Sequence, residues 1–334
     1  MSKYVLVGIA GVVSFLVIAM TYLQRTALEP RVFHSNVLLV ETGSSLRDFA
    51  EMMTHISDLE SPIPIMAWVM ITGRSSNLRA GEYEVTTGNT VEKIITQVVA
   101  GKVIAHLITF PEGFRLRNMI ERLNSAKPLY NQKGDLTSEI IKSAIGTKHE
   151  VLEGLFFPDT YHYVRSDTPV SILLRANKNM RVKLQDAWSG KDDHLLLKTS
   201  YELLILASII EKEAAVAQEK TRISGVFINR LRKNMRLQTD PTVIYGLGDE
   251  FTGDLTREHL VKDTPYNTYT RNGLPPTPIS CPGWDSLFAA AHPEKHDLFY
   301  FVAKGDGTHH FSKTLEEHQQ AVKTYQRRNE SKDQ

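Results

Sequence analysis

The sequence has a single cysteine among its 334 residues, Cys281, so no disulfide can form within the chain. It also lacks an excess of either charge, because 39 lysines and arginines stand against 38 aspartates and glutamates. Such a balance gives no global positive field for nucleic acid, which is therefore not an expected partner. Internal repeats and low-complexity tracts are absent as well, which excludes a repeat architecture.

The composition that remains is that of a folded protein. Hydrophobic residues make up 42% and charged residues 23% of the chain, close to the usage of globular proteins. A chain of this length accommodates two compact domains of about 100 to 200 residues each. We therefore expect an α+β protein with two folded parts.

One long apolar run stands near the amino terminus. Tyr4 to Leu23 holds 20 consecutive residues without a formal charge, and a helix of that length, about 30 Å, crosses a bilayer core. A cleaved signal peptide is the alternative, but no A-x-A-like cleavage site follows the run. Charged residues flank both ends and do not settle the orientation. The pattern favours an uncleaved anchor over residues 4–23, with residues 1–3 as a cytoplasmic tail and the folded body outside.

The rest of the chain divides into segments by its hydrophobic pattern. A connector over residues 24–35 leads to a small α/β subdomain over residues 36–104, in which strand-like and helix-like patterns alternate. A larger mixed α+β domain follows over residues 105–325. Residues 326–334 are polar and are expected to form a solvated tail.

Local signals in the small subdomain mark individual elements. The runs at residues 37–40 and 78–85 are typical of strands. The sequence SSLRD, starting at Ser44, precedes a stretch with helical periodicity and predicts a capped helix start. Gly101 follows another such stretch and predicts a helix end.

A buried helix with a glutamate at its end is predicted in the larger domain. The run Leu203 to Ile210, LLILASII, continues into EKEAAVAQEK, so the first half of the helix is expected to be buried on nearly all sides. Helical spacing places Ala207, Ser208 and Ala214 beside Glu211, which predicts small, apolar surroundings. A carboxyl against an apolar wall has a raised pKa, the property that a general acid needs near neutral pH.

The same pattern has a plainer interpretation. Glu213 lies about 200° from Glu211 around the helix. In this interpretation both glutamates are only the first polar residues after a core segment. They would pair with Lys212, Lys220 or Arg222. Because a glutamate after an apolar run is common in helices, the pattern alone favours this structural interpretation over the catalytic one.

Two polar loops follow this helix, RLQTDPT at residues 236–242 and TPYNTYT at residues 264–270. Tyrosine and asparagine together suit pyranose sugars, because the aromatic ring covers the apolar C–H face while the amide binds hydroxyls. The same residue types are ordinary turn formers. Taken alone, each loop is more simply explained as structural.

Metal and serine-hydrolase chemistry have little support. His292 and the pair His309 and His310 show no ligand spacing such as H-E-x-x-H, so we expect no metal site and no cofactor. Ser208 and Ser280 lie outside any G-x-S-x-G context.

Seven ordered blocks resemble the MltG family of endolytic murein transglycosylases, also called YceG-like. They are ITFPEGF, EGLFFPDTY, ASIIEKEAA, VFINRL, RLQTDPTVIYGLG, TPYNTYTRNGLPPTPIS and LFYFVAKGDGTHHFSKTLEEH. The resemblance covers nearly the whole chain and implies a LysM-like fold for the small subdomain. It also implies a YceG-like catalytic domain over residues 105–325.

The resemblance implies a lyase that cleaves nascent peptidoglycan strands between MurNAc and GlcNAc, forms 1,6-anhydroMurNAc ends and terminates strand elongation. It further implies a single-pass protein of the bacterial inner membrane with its catalytic domain on the periplasmic side. Peptidoglycan synthases of the elongation or division machinery are then candidate partners.

The resemblance also implies roles for residues. The essential acid is taken as the first glutamate of the motif matched by ASIIEKE, which assigns that role to Glu211. Residues of the two polar loops are expected to line the glycan groove: Gln238, Asp240, Tyr266, Asn267 and Tyr269.

Two alternatives stay open. A hydrolase at the same site would employ a second carboxylate, with Asp240 and Asp159 as the candidates. A protein of another class, a membrane-tethered scaffold that binds glycan without cutting it, would not depend on Glu211 at all.

Overall fold

A computed structural model describes residues 3–129 and 136–330, which divide into two compact units. The first unit comprises the chain up to Leu107, a short segment beginning at Lys127, and His162–Asp167. The second comprises the remainder. The sequence predicted one change of domain, between residues 104 and 105, and did not indicate that two later segments belong to the first unit.

The elements of the first unit come first along the chain: α1 (Lys3–Leu28), β1 (Val37–Val40), α2 (Leu46–His55), α3 (Ile63–Ile71), β2 (Gly81–Glu84) and α4 (Val91–Ala100). Next come β3 (His106–Thr109) and β4 (Thr160–Tyr163), which pair with each other. The boundary between the two units falls inside each of these strands.

The second unit is mainly helical. Its helices are α5 (Leu116–Ser125), α6 (Ser138–Ile145), α7 (Pro169–Ser189), α8 (Ser200–Glu213), α9 (Lys220–Arg232), α10 (Asp240–Leu247), α11 (Arg257–Val261), α12 (Trp284–Ala291) and α13 (Leu315–Glu330). Its hairpin strands are β5 (Tyr300–Ala303) and β6 (His309–Ser312). The expected α+β class with one amino-terminal apolar helix is confirmed.

Helix α1 is long and apolar enough to cross a membrane, with a mean hydropathy of 2.3 over an 18-residue window that is wholly exposed. It continues past the predicted span to Leu28. Ala19 and Leu23 are partly buried, and Thr26 and Ala27 are buried, so one face of the helix packs on the small unit. This packing extends the helix into the predicted connector.

The small unit is built around a two-stranded antiparallel sheet. Val37 lies opposite Glu84 and Val40 opposite Gly81. The predicted helix ends are confirmed: Ser45 caps α2 through a reciprocal bond with Asp48, and Gly101 ends α4 in the left-handed conformation with φ 68°. The buried core joins β1, α2, α3, β2 and α4, with Phe49, Trp68, Tyr83, Ile95 and Val98 among its larger side chains.

Helix α8 is the buried centre of the second unit, in contact with α7, α9, α10 and α12. Every residue from Leu203 to Ile210 is buried, as the sequence predicted. The Ser208 hydroxyl donates to the Ile205 carbonyl at 2.7 Å and accepts the Ile279 N–H at 3.0 Å, while Ser280 donates to the Ser208 carbonyl at 3.1 Å. These bonds hold the TPIS segment against the middle of the helix.

The carboxyl-terminal helix α13 continues to Glu330, so part of the predicted tail is helical. Residues 331–334, residues 1 and 2 of the predicted cytoplasmic tail, and residues 130–135 of the larger domain lie outside the described residues.

Candidate active site

Two glutamates lie at the surface end of α8, two residues apart. The run of buried residues ends at Ile210, and the helix then reaches the edge of the unit. Residues two positions apart point to nearly opposite sides of a helix. Glu211 and Glu213 therefore meet different surroundings, although they share one helical turn.

Glu211 is enclosed by hydrogen-bond donors. The Lys220 ammonium lies 3.3 Å from both carboxylate oxygens, and the two side chains are each only 7% exposed. The Ser286 hydroxyl donates at 2.6 Å and the Gly283 N–H at 3.0 Å. The expectation of an apolar wall around Glu211 is thus wrong, whereas the pairing with Lys220 that the structural interpretation predicted is confirmed.

The donors around Glu211 belong to the starts of two other helices, α9 and α12. Gly283 is the N-cap of α12, where the helix dipole favours a negative charge. The buried Lys220 ammonium, the Ser286 hydroxyl and the Gly283 N–H together hold the carboxylate as an acceptor. Glu211 therefore acts as a joint between the end of α8 and the starts of α9 and α12.

Glu112, in the ITFPEGF block, lies beside this joint. Its carboxylate is 3.9 Å from the Lys220 ammonium, and its side chain is half exposed. Burial and the negative charge of Glu211 raise the pKa of Glu112, while Lys220 opposes the shift. The sequence marked the block but not this residue, because the partners lie about a hundred residues away along the chain.

Glu213 has a different environment. The residue as a whole is partly buried, and the Thr239 hydroxyl donates to its carboxylate. Burial raises the pKa of Glu213 to about 7, and the charge of Asp240 adds to the rise, while the Thr239 hydrogen bond and the electrostatic interactions with His309 and Arg230 oppose it. A carboxyl that is half protonated near neutral pH is suited to general acid catalysis.

The two polar loops meet beside Glu213. The Gln238 and Thr239 N–H groups donate to the carbonyl and the hydroxyl of Thr268, each at 3.1 Å. Gln238 is exposed and has a φ of 49°, a left-handed conformation that is costly for a residue other than glycine and concentrates at functional sites. The Tyr269 hydroxyl donates to the exposed Asp240 carboxylate at 2.5 Å. The structure therefore brings Gln238, Asp240 and Tyr269 together near Glu213.

The other two predicted groove residues are placed differently. Asn267 is fully buried, and its amide donates to the carbonyls of His259, Leu260 and Lys262 while its oxygen accepts the Tyr269 N–H. In the structure Asn267 orders the loop, and its contact with glycan stays a prediction. Tyr266 is partly exposed, donates to or accepts from Thr277 at 2.9 Å, and packs edge-on against Tyr245.

The EGLFFPDTY block is largely buried within the second unit. Glu153 is buried and accepts the Leu116 N–H at 2.9 Å. Asp159, a candidate second carboxylate of the hydrolase alternative, accepts the N–H of the adjacent Thr160, and its carbonyl accepts the Phe110 N–H. These bonds tie Asp159 to the strand ends and give it a local structural role.

The histidines take part in packing and hydrogen bonds. His309 pairs with Glu219 at 2.7 Å, and His292 stacks on Phe288 with a nitrogen 2.7 Å from the Gly190 carbonyl. Within residues 3–129 and 136–330, no group of three or more histidine, cysteine or acidic side chains is placed to hold a metal ion.

Known proteins with similar sequences share one family description. The model of the YceG-like family matches residues 38–324. An endolytic murein transglycosylase of Bacillus subtilis (strain 168) is 33% identical over 307 residues, 86% of this chain and 83% of the relative. An endolytic murein transglycosylase of Streptococcus pneumoniae is 27% identical over 283 residues. The aligned region covers 74% of this chain and 50% of that relative.

A similar fold has also been solved. The crystal structure of a putative YceG-like protein from Listeria monocytogenes aligns with a TM-score of 0.56 and 32% sequence identity, over 85% of this chain and 97% of that one.

Proposed function

Because this chain belongs to the YceG-like family, we infer that it is an endolytic murein transglycosylase, a lyase that cuts the glycan strands of peptidoglycan within their length. The family match covers both units and includes both glutamates of α8. The hydrolase and scaffold alternatives are not favoured by the named relatives.

The catalytic acid in this proposal is Glu213 and not Glu211, which the motif comparison had suggested. The observation that carries this proposal is the pKa of Glu213, which burial raises to about 7, beside the two polar loops. Glu211 is instead paired with the buried Lys220 ammonium and accepts two further hydrogen bonds, from Ser286 and Gly283, and its side chain is only 7% exposed.

The chemistry follows from one carboxyl. Protonated Glu213 donates its proton to the glycosidic oxygen, and the bond from that oxygen to C1 of the muramic acid breaks. The C6 hydroxyl oxygen of the same sugar then bonds to C1, and its proton passes to the Glu213 carboxylate. No water is consumed, a 1,6-anhydro end forms, and Glu213 is protonated again.

Two neighbours support this role. The Thr239 hydroxyl donates to Glu213 and fixes the direction of its carboxyl. The Asp240 carboxylate, held by Tyr269, places a negative charge near the site where an oxocarbenium-like centre develops, and fixed charges of that kind stabilise a transition state. Asp240 serves here as an electrostatic group and not as the second carboxylate of a hydrolase.

The glycan groove in this proposal runs past the two polar loops. Gln238, Asp240 and Tyr269 offer amide, carboxylate and aromatic groups near the acid. Tyr266 offers a second ring beside Tyr245. These are the group types that bind pyranose hydroxyls and C–H faces.

The first unit serves as the membrane attachment. Helix α1 is proposed to be a single-pass anchor in the cytoplasmic membrane, with the second unit on the extracytoplasmic side. The order β1, α2, α3, β2 with antiparallel pairing supports a LysM-like subdomain that contacts glycan. Peptidoglycan synthases are the proposed class of protein partner.

Analysis of the products tests the reaction. Purified murein is digested with the full-length protein in detergent, and the products are examined by mass spectrometry. We expect 1,6-anhydro ends within long strands. Reducing ends would instead establish hydrolysis, and unchanged murein with retained binding would establish a scaffold.

A further inference from the structure

Helix α3 is unusual because it has no polar side, although half of it is exposed. Its sequence, IPIMAWVMI, contains no charged residue. The inner side is buried in the first unit through Pro64, Ile65, Trp68 and Val69. A helix at the surface of a soluble domain normally has charged or polar residues opposite its buried side.

The outer face of α3 consists of Ile63, Met66, Ala67, Met70 and Ile71. Ile63 is 70% exposed, Met70 56% and Ile71 58%, while Met66 and Ala67 are partly exposed. At 100° per residue these five side chains cover a continuous arc of the helix. Exposure of such a continuous apolar surface to water is unfavourable, so we expect an apolar environment to cover it.

The position of α3 within the first unit indicates which occupant is available. Helix α3 packs against α1, and both contribute to one core through Leu23, Ala27, Ile65 and Val69. The face of α1 that the unit covers extends from Ala19 to Ala27, about 12 Å along the helix axis.

That stretch of α1 includes the end of the apolar span. The uncharged run continues to Leu23, so the covered face begins about one turn before the run ends. Helix α3 therefore lies beside the part of α1 that passes from the hydrocarbon core into the headgroup layer.

We propose that the outer face of α3 inserts into the headgroup and upper acyl layer of the membrane that α1 spans. The inference rests on the proposed anchoring role of α1 and extends it, because a second contact fixes the orientation of the first unit on the bilayer. Apolar helix faces of this kind bind at the interface by burying their side chains in the acyl boundary.

Spin labels in the full-length protein test this insertion. Cys281 is fully buried, so the folded protein reacts with a thiol-specific nitroxide only at an introduced cysteine. Three variants are reconstituted in vesicles of phosphatidylethanolamine and phosphatidylglycerol. They are Met70→Cys on α3, Val12→Cys in the span as the bilayer reference, and Arg47→Cys on α2, an exposed aqueous reference in the same unit.

The readout is collision of each nitroxide with apolar oxygen relative to a water-soluble nickel complex. We expect the oxygen-to-nickel ratio to be several-fold higher at Met70→Cys than at Arg47→Cys, and highest at Val12→Cys. A Met70→Cys label as open to nickel as the Arg47→Cys label, or shielded from both reagents by a protein partner, overturns the insertion while the anchor stands. An aqueous Val12→Cys label overturns the anchor and the insertion with it.

Discussion

Glu211 and Glu213 show how two residues of one type, on one helical turn, can have very different surroundings. Lys220, Gly283 and Ser286 surround one carboxylate with donors. Burial and the charge of Asp240 instead favour the protonated form of Glu213. The difference arises from residues up to 75 positions away, so the local sequence could not reveal it.

Removal of the Glu211 charge should damage the fold. Glu211→Gln leaves the Lys220 ammonium buried without its ion partner, and loss of one member of a buried pair typically costs about 3–5 kcal/mol. We expect a clear fall in the melting temperature, measured by circular dichroism. Lys212→Gln, an exposed neighbour on the same turn, is the control and should change little. Equal stability of the two variants would refute the structural role of Glu211.

The pKa of Glu213 predicts the alkaline limb of the pH profile. Because the acid must be protonated, kcat/KM should fall about tenfold per pH unit above about pH 7. Asp240 raises the pKa of Glu213, so Asp240→Asn should move this limb to lower pH. Initial rates of anhydro-end formation between pH 5 and pH 9 provide the measurement, and a limb that stays in place or moves to higher pH would exclude this coupling.

The same pKa has a consequence for stability. The ordinary glutamate value is 4.5, so the folded state holds a proton that the unfolded state has released, and stability is lost as the pH rises from about 4.5 through about 7. Glu213→Gln removes this loss. Its melting temperature should match the wild type near pH 4.5 and exceed it at pH 8. A variant that is less stable at pH 8 would contradict the raised pKa.

At the scale of elements, α9 positions the loop that holds Thr239. The buried Arg230 guanidinium donates to the carbonyls of Phe299 at 2.6 Å and Leu237 at 2.7 Å, with Arg236 at 3.3 Å. It thereby ties α9 both to the segment before β5 and to the start of the RLQTDPT loop. Through Arg230, the block VFINRL therefore positions the loop that contacts Glu213.

Arg230→Lys should loosen that loop. An ammonium cannot reproduce the planar fork, so buried carbonyls lose their donors at about 1–3 kcal/mol each. We expect a lower melting temperature and a lower kcat. The matched control is Arg232→Lys on the same helix, because Arg232 is exposed and bonds only Asn229 among the contacts seen in the described residues. If both substitutions change the melting temperature and kcat equally, Arg230 does not position the loop.

The elements that the sequence predicted best are those set by short-range chemistry. The strand at residues 37–40, the capped start of α2 at Ser45 and the glycine end of α4 each depend on a few neighbouring residues. The burial of α8 followed from an uninterrupted apolar run. The burial of Asn267 could not be predicted in this way, because its three carbonyl partners define a loop shape that no local pattern encodes.

At the scale of the whole molecule, the ordered blocks predicted the reaction, and the match to the YceG-like family over residues 38–324 supports that prediction. The proposal that Glu213 is the acid depends on its contacts and its raised pKa. The long apolar helix was also evident from composition, but its extension to Leu28 depends on packing against the rest of the first unit. The return of His162–Asp167 to the first unit is another long-range feature of that kind.

The most direct test of the central claim compares the two glutamates in one assay. Full-length wild type, Glu213→Gln and Glu211→Gln are incubated with purified murein at pH 6, below the melting temperature of each protein, and 1,6-anhydro ends are counted by mass spectrometry. We predict that Glu213→Gln keeps its fold and loses activity by about 10²–10⁴-fold, the usual contribution of a general acid, whereas folded Glu211→Gln keeps measurable activity. Wild-type rates from Glu213→Gln, with a folded but inactive Glu211→Gln, would show that Glu211 and not Glu213 is the acid.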